Sequence, residues 1–453
     1  MLTEEQTNII EAVKKYDLIK VKAVAGSGKT FTLSEIVKEL KPTSGIYMAY
    51  NKKIAEEAKE RFPSCITCKT IHALAFKYVA YSIGSLNYNT IKENISNYDK
   101  KTIIDELESF FNSKSIDAYE YLDEGLSPKH RDIALDILND MYNCNIEASF
   151  GFVLKMFHIA LYQKDISINI DILLLDESGD TTECILEIFK LINAKKKVAV
   201  GDSYQNIYGF NNTIDGFEAL KDKGIELSLT NSFRCTPEIG NKVEKYCKKY
   251  IDKDFKYNGV LEPKDIKTIC YISRNNATVI RRMLNYMHRG TRFKLVRDPY
   301  EIFSLPLAIY NIARDNLKYV DINRYMYIIK AKKERPSNVS LYDYLLQKFY
   351  HDIQIKGACK LLKDLQKKGI DLLSSYYNIK KFIDPNAITT LATAHSVKGL
   401  EFDKVYIENN MNESVLNIYE NGGPKNSEER GELFLYYVAI TRARYALENA
   451  NLS

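Results

Sequence analysis

Apolar positions recur along the chain with periods that change between segments, and the changes mark the elements. At the N-terminus Ile9, Ile10 and Val13 share one helical face, and Thr3 with Gln6 makes the pair of a capping box, so residues 1–16 read as a short amphipathic helix. Residues 18–24 form a β-type run, and a helical pattern follows over 31–40. A second strand is predicted at 45–50, a charged helix at 51–61 and a short strand at 64–68. Strand and helix alternate, which predicts an α/β domain with a mostly parallel sheet.

From about 76 to 150 the pattern is helical, clearest over 103–111 and 132–141, and no buried strand interrupts it. Strand patterns resume at 170–175 and 197–200. Another, at 268–273, opens a second α/β unit. Residues from roughly 300 to 384 are again helical and rich in Lys and Tyr, strands return at 387–392 and 404–407, and a helix over 428–443 nearly ends the chain. The segment Asn421-Gly422-Gly423-Pro424 is a loop. The expected fold class is α/β, with two parallel-sheet domains each carrying a mainly helical insertion. Residues 1–75 and 150–235 make the first domain, with 76–149 as its insertion. Residues 236–300 and 385–453 make the second, with 301–384 as a shorter insertion. There is no internal repeat and no long low-complexity segment.

Composition changes this picture little. The 453 residues are 45% hydrophobic and 27% charged, as in ordinary globular domains. A formal net charge of +5 permits nucleic-acid binding without demanding it. The eight cysteines follow no disulfide framework, and Cys65 and Cys68 lack the second pair or histidines of a zinc site. No apolar run is long enough for a membrane span and residues 1–6 are unlike a signal peptide, so the expectation is a cytoplasmic protein without a membrane partner. The abundance of Tyr, Lys, Asn and Ile with no Trp fits an AT-rich coding sequence and carries no functional weight.

The strongest local chemistry is Ala25-Gly26-Ser27-Gly28-Lys29-Thr30, between a strand and a helix. Two glycines let successive N–H groups turn toward phosphate oxygens. Lys29 can then reach the β- and γ-phosphates, and the Thr30 hydroxyl can hold Mg²⁺. The full P-loop pattern begins with a glycine five residues before Gly28; here that position is Ala23. The apolar run 172–175 ends in Asp176 and Glu177, where the strand ends of a parallel sheet line a crevice. Asp176 suits the metal, directly or through water, and Glu177 suits polarising the attacking water. A second strand ends in Gly201-Asp202-Ser203-Tyr204-Gln205, and Gln205 is a candidate γ-phosphate sensor. Just beyond, Tyr208 and Phe210 could stack on bases, with core packing the alternative for Phe210.

Taken in order, these segments resemble superfamily 1 helicases of the UvrD/Rep/PcrA type, and the match runs from residue 6 to residue 444. Thr393-Ala-His395-Ser-Val-Lys398-Gly399-Leu400-Glu401-Phe402 is close to the T-x-H-x-x-KGLEF motif, and 437–443 (YVAITRA) to YVAxTRA. The resemblance implies two RecA-like motor domains with ATP and Mg²⁺ between them. It implies Gln6 reading adenine, Phe233 against the base, Glu401 on the ribose, and Arg234 and Arg442 on the γ-phosphate. It places Tyr50, Asn51, Thr70, His72, Tyr208, Phe210, Thr393 and His395 toward single-stranded DNA. Two arginines far apart in sequence suit a γ-phosphate met from two sides, so that hydrolysis is coupled to domain movement.

The chain departs from the family where 176–180 reads DESGD rather than DEAQD, and where Phe210-Asn211-Asn212 lacks the usual arginine. The expected activity is an ATP-dependent 3′→5′ helicase or translocase on single-stranded or tailed duplex DNA. Two other readings stay open. One is a helicase-like subunit of an antiviral or mobile-element system gating a partner nuclease, favoured by the short second insertion and the few residues after the last motif. The other is an ATP-gated DNA-binding protein that does not unwind. A repair or replication factor is another partner the family allows. Lys195, Lys196 and Lys197 read as a solvated turn ahead of a strand. Lys330, Lys332, Lys333 and Arg335 are candidate phosphate contacts.

Overall fold

The computed structural model describes residues 2–207 and 213–452. It divides into two compact units, Met1–Phe233 and Arg234–Ser453.

The first unit is built on a parallel sheet of six strands. These are β1 (Leu18–Ala23), β2 (Gly45–Ala49), β3 (Ile66–Thr70), β4 (Asn169–Leu175), β5 (Asn193–Gly201) and β6 (Ile225–Leu229), in the order β3-β2-β4-β5-β1-β6. All five positions of β2 are buried, as a central parallel strand covered on both faces requires. One face packs on α1 (Glu4–Lys15), α2 (Lys29–Leu40) and α3 (Lys52–Arg61) through Ile9, Val13, Leu33, Ile36 and Ala58. The capping box of α1 is present, with Thr3 and Gln6 bonded reciprocally. After β3 a short helix, α4 (Ile71–Ala75), leads into α5 (Asn97–Asn112), α6 (Ala118–Gly125), α7 (Pro128–Tyr142) and α8 (Phe150–Gln163). Their apolar faces share a core around Phe110, Phe111, Phe152 and Phe157, and no strand of the main sheet falls within this stretch.

The second unit holds a five-stranded parallel sheet. Its strands are β7 (Ile269–Ser273), β8 (Lys294–Leu295), β9 (Thr389–Thr393), β10 (Phe402–Ile407) and β11 (Ala443–Glu448), in the order β8-β9-β7-β10-β11. Helices from Pro299–Ala313 to Leu372–Ile379 fill the chain between β8 and β9 and pack around Phe303, Ile328, Leu345 and Leu361. The parallel α/β class is therefore the architecture of both units.

Three local expectations are corrected. Lys195–Lys197 is not a turn: β5 begins at Asn193. The three ammonium groups are tied down, Lys195 to Asp171 at 2.8 Å, Lys196 to Asp17 at 3.0 Å and Lys197 to the Lys190 carbonyl at 2.7 Å. Polar side chains at a strand's entry hid its length. The last helix stops at Ile440, and β11 follows as the edge strand of the second sheet. Strand β6, at the edge of the first sheet, was likewise absent from the sequence pattern, because only its last position, Leu229, is fully buried.

Candidate nucleotide site and nucleic-acid face

The strand order sets β4, β5, β1 and β6 side by side, so the loops after them share one edge. In parallel α/β sheets that edge is the ligand crevice. The loop after β1 turns through Gly26 and Gly28, both at φ of 79°, a conformation closed to most side chains. Gly28 is the N-cap of α2 and makes no side-chain cap, so the first N–H groups of that helix remain available to an anion. Ser27 is 1% exposed, and its Oγ has no hydrogen-bond partner among the described residues. A buried hydroxyl without a partner inside a glycine cradle fits a phosphate oxygen. The Ala25 carbonyl accepts from Ser232 Oγ at 2.8 Å, and the Gly26 carbonyl from the Phe233 N–H at 2.9 Å, which ties the cradle to the chain beyond β6.

Lys29 Nζ donates to Glu177 Oε2 at 2.7 Å. Burial opposes the lysine's charge, but Glu177, Asp176 and Asp202 outweigh it and hold its pKa above the ordinary value. Asp176 is 5% exposed; burial, then the neighbouring Glu177, push its pKa up, against Lys29 and hydrogen bonds from Tyr47 and the Glu177 N–H. Three carboxylates thus act on one lysine, which leaves negative charge for a cation to balance. The Thr30 hydroxyl and the Asp176 carboxylate are hard oxygen donors, and the set fits Mg²⁺ completed by phosphate oxygens and water. Glu177 itself has φ of 55°, a left-handed conformation that costs a non-glycine residue energy and aims its carboxylate back at Lys29.

The DESGD departure has a packing reason. The Ser178 N–H donates to the Val200 carbonyl, and the Ser178 carbonyl accepts from the Gly216 N–H. A Cβ on Gly179 would lie 2.5 Å from the Asp202 carbonyl oxygen, so a glutamine there cannot fit this backbone. The loops after β4 and β5 meet backbone to backbone instead. Gln205 is 6% exposed and donates through Nε2 to Asp202 Oδ2 at 2.6 Å.

Gln6 lies against the P-loop. Its Nε2 donates to Thr32 Oγ1 at 3.3 Å, and Gly28 sits between Gln6 and the 46%-exposed ring of Phe233. These two residues, far apart in sequence, therefore flank the start of α2. Glu5 was not singled out from the sequence; it holds the neighbouring segment through Thr230 Oγ1 at 2.5 Å and the Thr230 N–H at 2.9 Å.

In the second unit Arg234 donates through Nε to Glu401 Oε2 at 3.1 Å and through Nη1 to the Thr441 carbonyl at 3.3 Å. Arg444, also missed by the sequence reading, lies 3.8 Å from the same Glu401 carboxylate. Arg442 is 1% exposed, with Nε on the Val438 carbonyl at 2.8 Å and Nη2 on Thr441 Oγ1 at 3.0 Å.

The residues expected to face DNA fall in two groups. In the first unit Tyr50 is half exposed, Asn51 caps α3 and Thr70 caps α4. His72 follows on α4, its ring edge-on to the exposed Phe150 at 5.9 Å, and burial lowers its pKa. In the second unit Thr393 is nearly buried and bonded to Ser396. Burial, then Arg274, push His395 down to about 4, beside the Arg274–Glu432 pair. Tyr208 and Phe210, with Asn211 and Asn212, lie outside the described residues. Of the basic residues near 330, Lys332 pairs with Asp315 at 2.7 Å, and Arg335 donates to the Val339 carbonyl at 2.5 Å.

A parallel α/β sheet with a glycine cradle, its lysine and an acidic strand end defines a P-loop nucleoside triphosphatase fold. A family model described as an AAA domain matches residues 6–211. The chain is 26% identical over 512 residues to F-box DNA helicase 1 of Gallus gallus, covering 98% of this chain and 48% of that protein. It is 25% identical over 509 residues to F-box DNA helicase protein 1 of Schizosaccharomyces pombe, covering 98% of this chain and 57% of that protein. The chain thus spans about half the length of the curated relatives it matches. These are likenesses to proteins named DNA helicases, at 25–26% identity. Among the described residues no helix is long and apolar enough to cross a membrane, and no three His, Cys, Asp or Glu side chains cluster as a metal site of their own.

Proposed function

We propose that this chain is an ATP-driven DNA helicase that moves 3′→5′ along single strands. The observation that carries the reading is the convergence of Lys29 and Glu177, 2.7 Å apart, at the end of strands that also present Asp176 and Gln205. The relatives' names and the ordered motifs support DNA as the substrate.

In this reading the N–H groups around Ser27–Thr30 and the Lys29 ammonium bind the β- and γ-phosphates. Mg²⁺, held by Thr30 and Asp176, would supply charge neutralisation at those phosphates. Glu177 leaves Lys29 as the lysine turns to phosphate, and its freed carboxylate orients the attacking water and takes its proton. Gln205, fixed by Asp202, senses the γ-phosphate. Gln6 and Phe233 hold the adenine, and Glu401 the ribose. Arg234 and Arg442 meet the charge of the transition state. Tyr50, Asn51, Thr70 and His72 in one unit, and Thr393 and His395 in the other, line the strand's path, and the exposed Phe150 ring beside His72 adds a stacking surface.

ATP hydrolysis with and without single-stranded DNA, and unwinding of 3′-tailed against 5′-tailed duplexes, test this. DNA is expected to raise the rate several-fold, Lys29→Ala and Arg442→Ala to abolish it, and only 3′-tailed duplexes to open. ATP binding without DNA-stimulated hydrolysis would refute the motor. A partner-dependent role draws support from Leu317, Tyr319, Ile322 and Met326, apolar side chains left exposed in the second helical insertion. Unwinding by the isolated chain at full rate would remove that reading.

A further inference from the structure

We propose that Tyr47 is a positioning residue that fixes Asp176, the carboxylate placed to hold Mg²⁺; this rests on the ATPase reading above. Tyr47 lies in β2, paired in register with Leu174 of β4 and Cys68 of β3, and its ring is fully buried with Phe62 at 5.1 Å. Its hydroxyl emerges at the acidic strand end and donates to Asp176 Oδ2 at 2.5 Å. The other Asp176 oxygen accepts from the Glu177 N–H at 2.8 Å. Both oxygens are therefore tied, and the carboxylate plane is set. The Thr30 side chain approaches the same phenol oxygen. Tyr47 thus joins β2 to the end of β4 at the carboxylate placed for the metal.

A phenylalanine would fill this space without burying a hydroxyl, so packing alone does not call for tyrosine. Partners that orient a ligating carboxylate typically set metal affinity over 10–100-fold. The phosphate cradle, by contrast, is made by backbone N–H groups around Ser27–Thr30 and the Lys29 ammonium, while the Tyr47 hydroxyl donates to Asp176. Metal affinity and nucleotide affinity are therefore separable.

The test is Mn²⁺ binding to the full chain, read by electron paramagnetic resonance in the presence of ADP, alongside metal-free ADP binding. Tyr47→Phe is expected to weaken Mn²⁺ about 10–100-fold and leave metal-free ADP affinity within about twofold. Tyr47→Met, which fills much of the volume without a donor, is expected to do the same and serves if the first variant folds poorly. Wild-type Mn²⁺ affinity in either folded variant overturns the assignment, as does equal loss of ADP and Mn²⁺. ADP and Mn²⁺ both failing to bind the wild-type chain overturns the ATPase reading, and this assignment with it.

Discussion

Placing a side chain on Gly179 is the most direct test of how the acidic loop is built. A Cβ there meets the Asp202 carbonyl oxygen at 2.5 Å, the Asp202 carbonyl carbon at 2.6 Å and the Ser203 nitrogen at 2.8 Å. Ordinary contact starts near 3.4 Å, so the shortfall is about 0.9 Å, and every atom met is backbone that no rotamer change can move aside. Overpacking of this kind costs about 1–3 kcal/mol, and a backbone clash belongs at the upper end. For a unit the size of Met1–Phe233, about 3 kcal/mol corresponds to a Tm about 6–12 °C lower. The displaced Asp202 carries Gln205 with it through their 2.6 Å bond. A shift near 1 Å in a catalytic group costs about 100-fold in rate. Gly179→Ala is therefore expected to lower both Tm and ATP turnover. Gly179→Gln, which restores the residue of the resembling helicases, is expected to be worse. Differential scanning calorimetry and a coupled ATPase assay read the two effects. Gly431, within the helix Ser427–Ile440 and with nothing within 4 Å of its added Cβ, is the control; Gly431→Ala should hold or raise Tm. Wild-type Tm and turnover in Gly179→Ala would refute the reasoning.

Other consequences follow from the same geometry. Lys29→Ala should cut turnover by at least about 100-fold in a steady-state assay, since it removes the one lysine facing three carboxylates and the phosphates. Phe233→Ala should raise the KM for ATP about tenfold through lost stacking, of order 1.4 kcal/mol, with little effect on Tm because the ring is half exposed. His158 is buried in α8, and burial, then Lys155, push its pKa from 6.5 down to about 4, while Glu187 pulls the other way. Between those values the unfolded chain takes up a proton that the native chain refuses, so this residue's contribution falls as pH drops through that window. His158→Leu should flatten the loss of Tm between pH 6.5 and 4. An unchanged slope would mean the imidazole is protonated in the native chain.

Much of this protein was legible in its sequence because the signals are local. Continuous apolar runs marked the central strands, the Thr3–Gln6 pair marked the first helix, and the glycine spacing at 26 and 28 marked a cradle that few other residues can form. Two edge strands, β6 and β11, escaped, since they bury only part of each face and so lose the pattern. Residues whose roles depend on neighbours distant in the chain were also invisible. Glu5 reads as an exposed helical charge until Thr230 is set beside it, and Tyr47 reads as a core aromatic until β4 delivers Asp176 to its hydroxyl. The Ser178-Gly179 departure read only as a difference from the family motif, and only the register of β4 against β5 shows a contact with no room for a glutamine. Local chemistry is written in spacing along the chain; which groups share a hydrogen bond is decided by strand order, and strand order is set by how the whole sheet buries its faces.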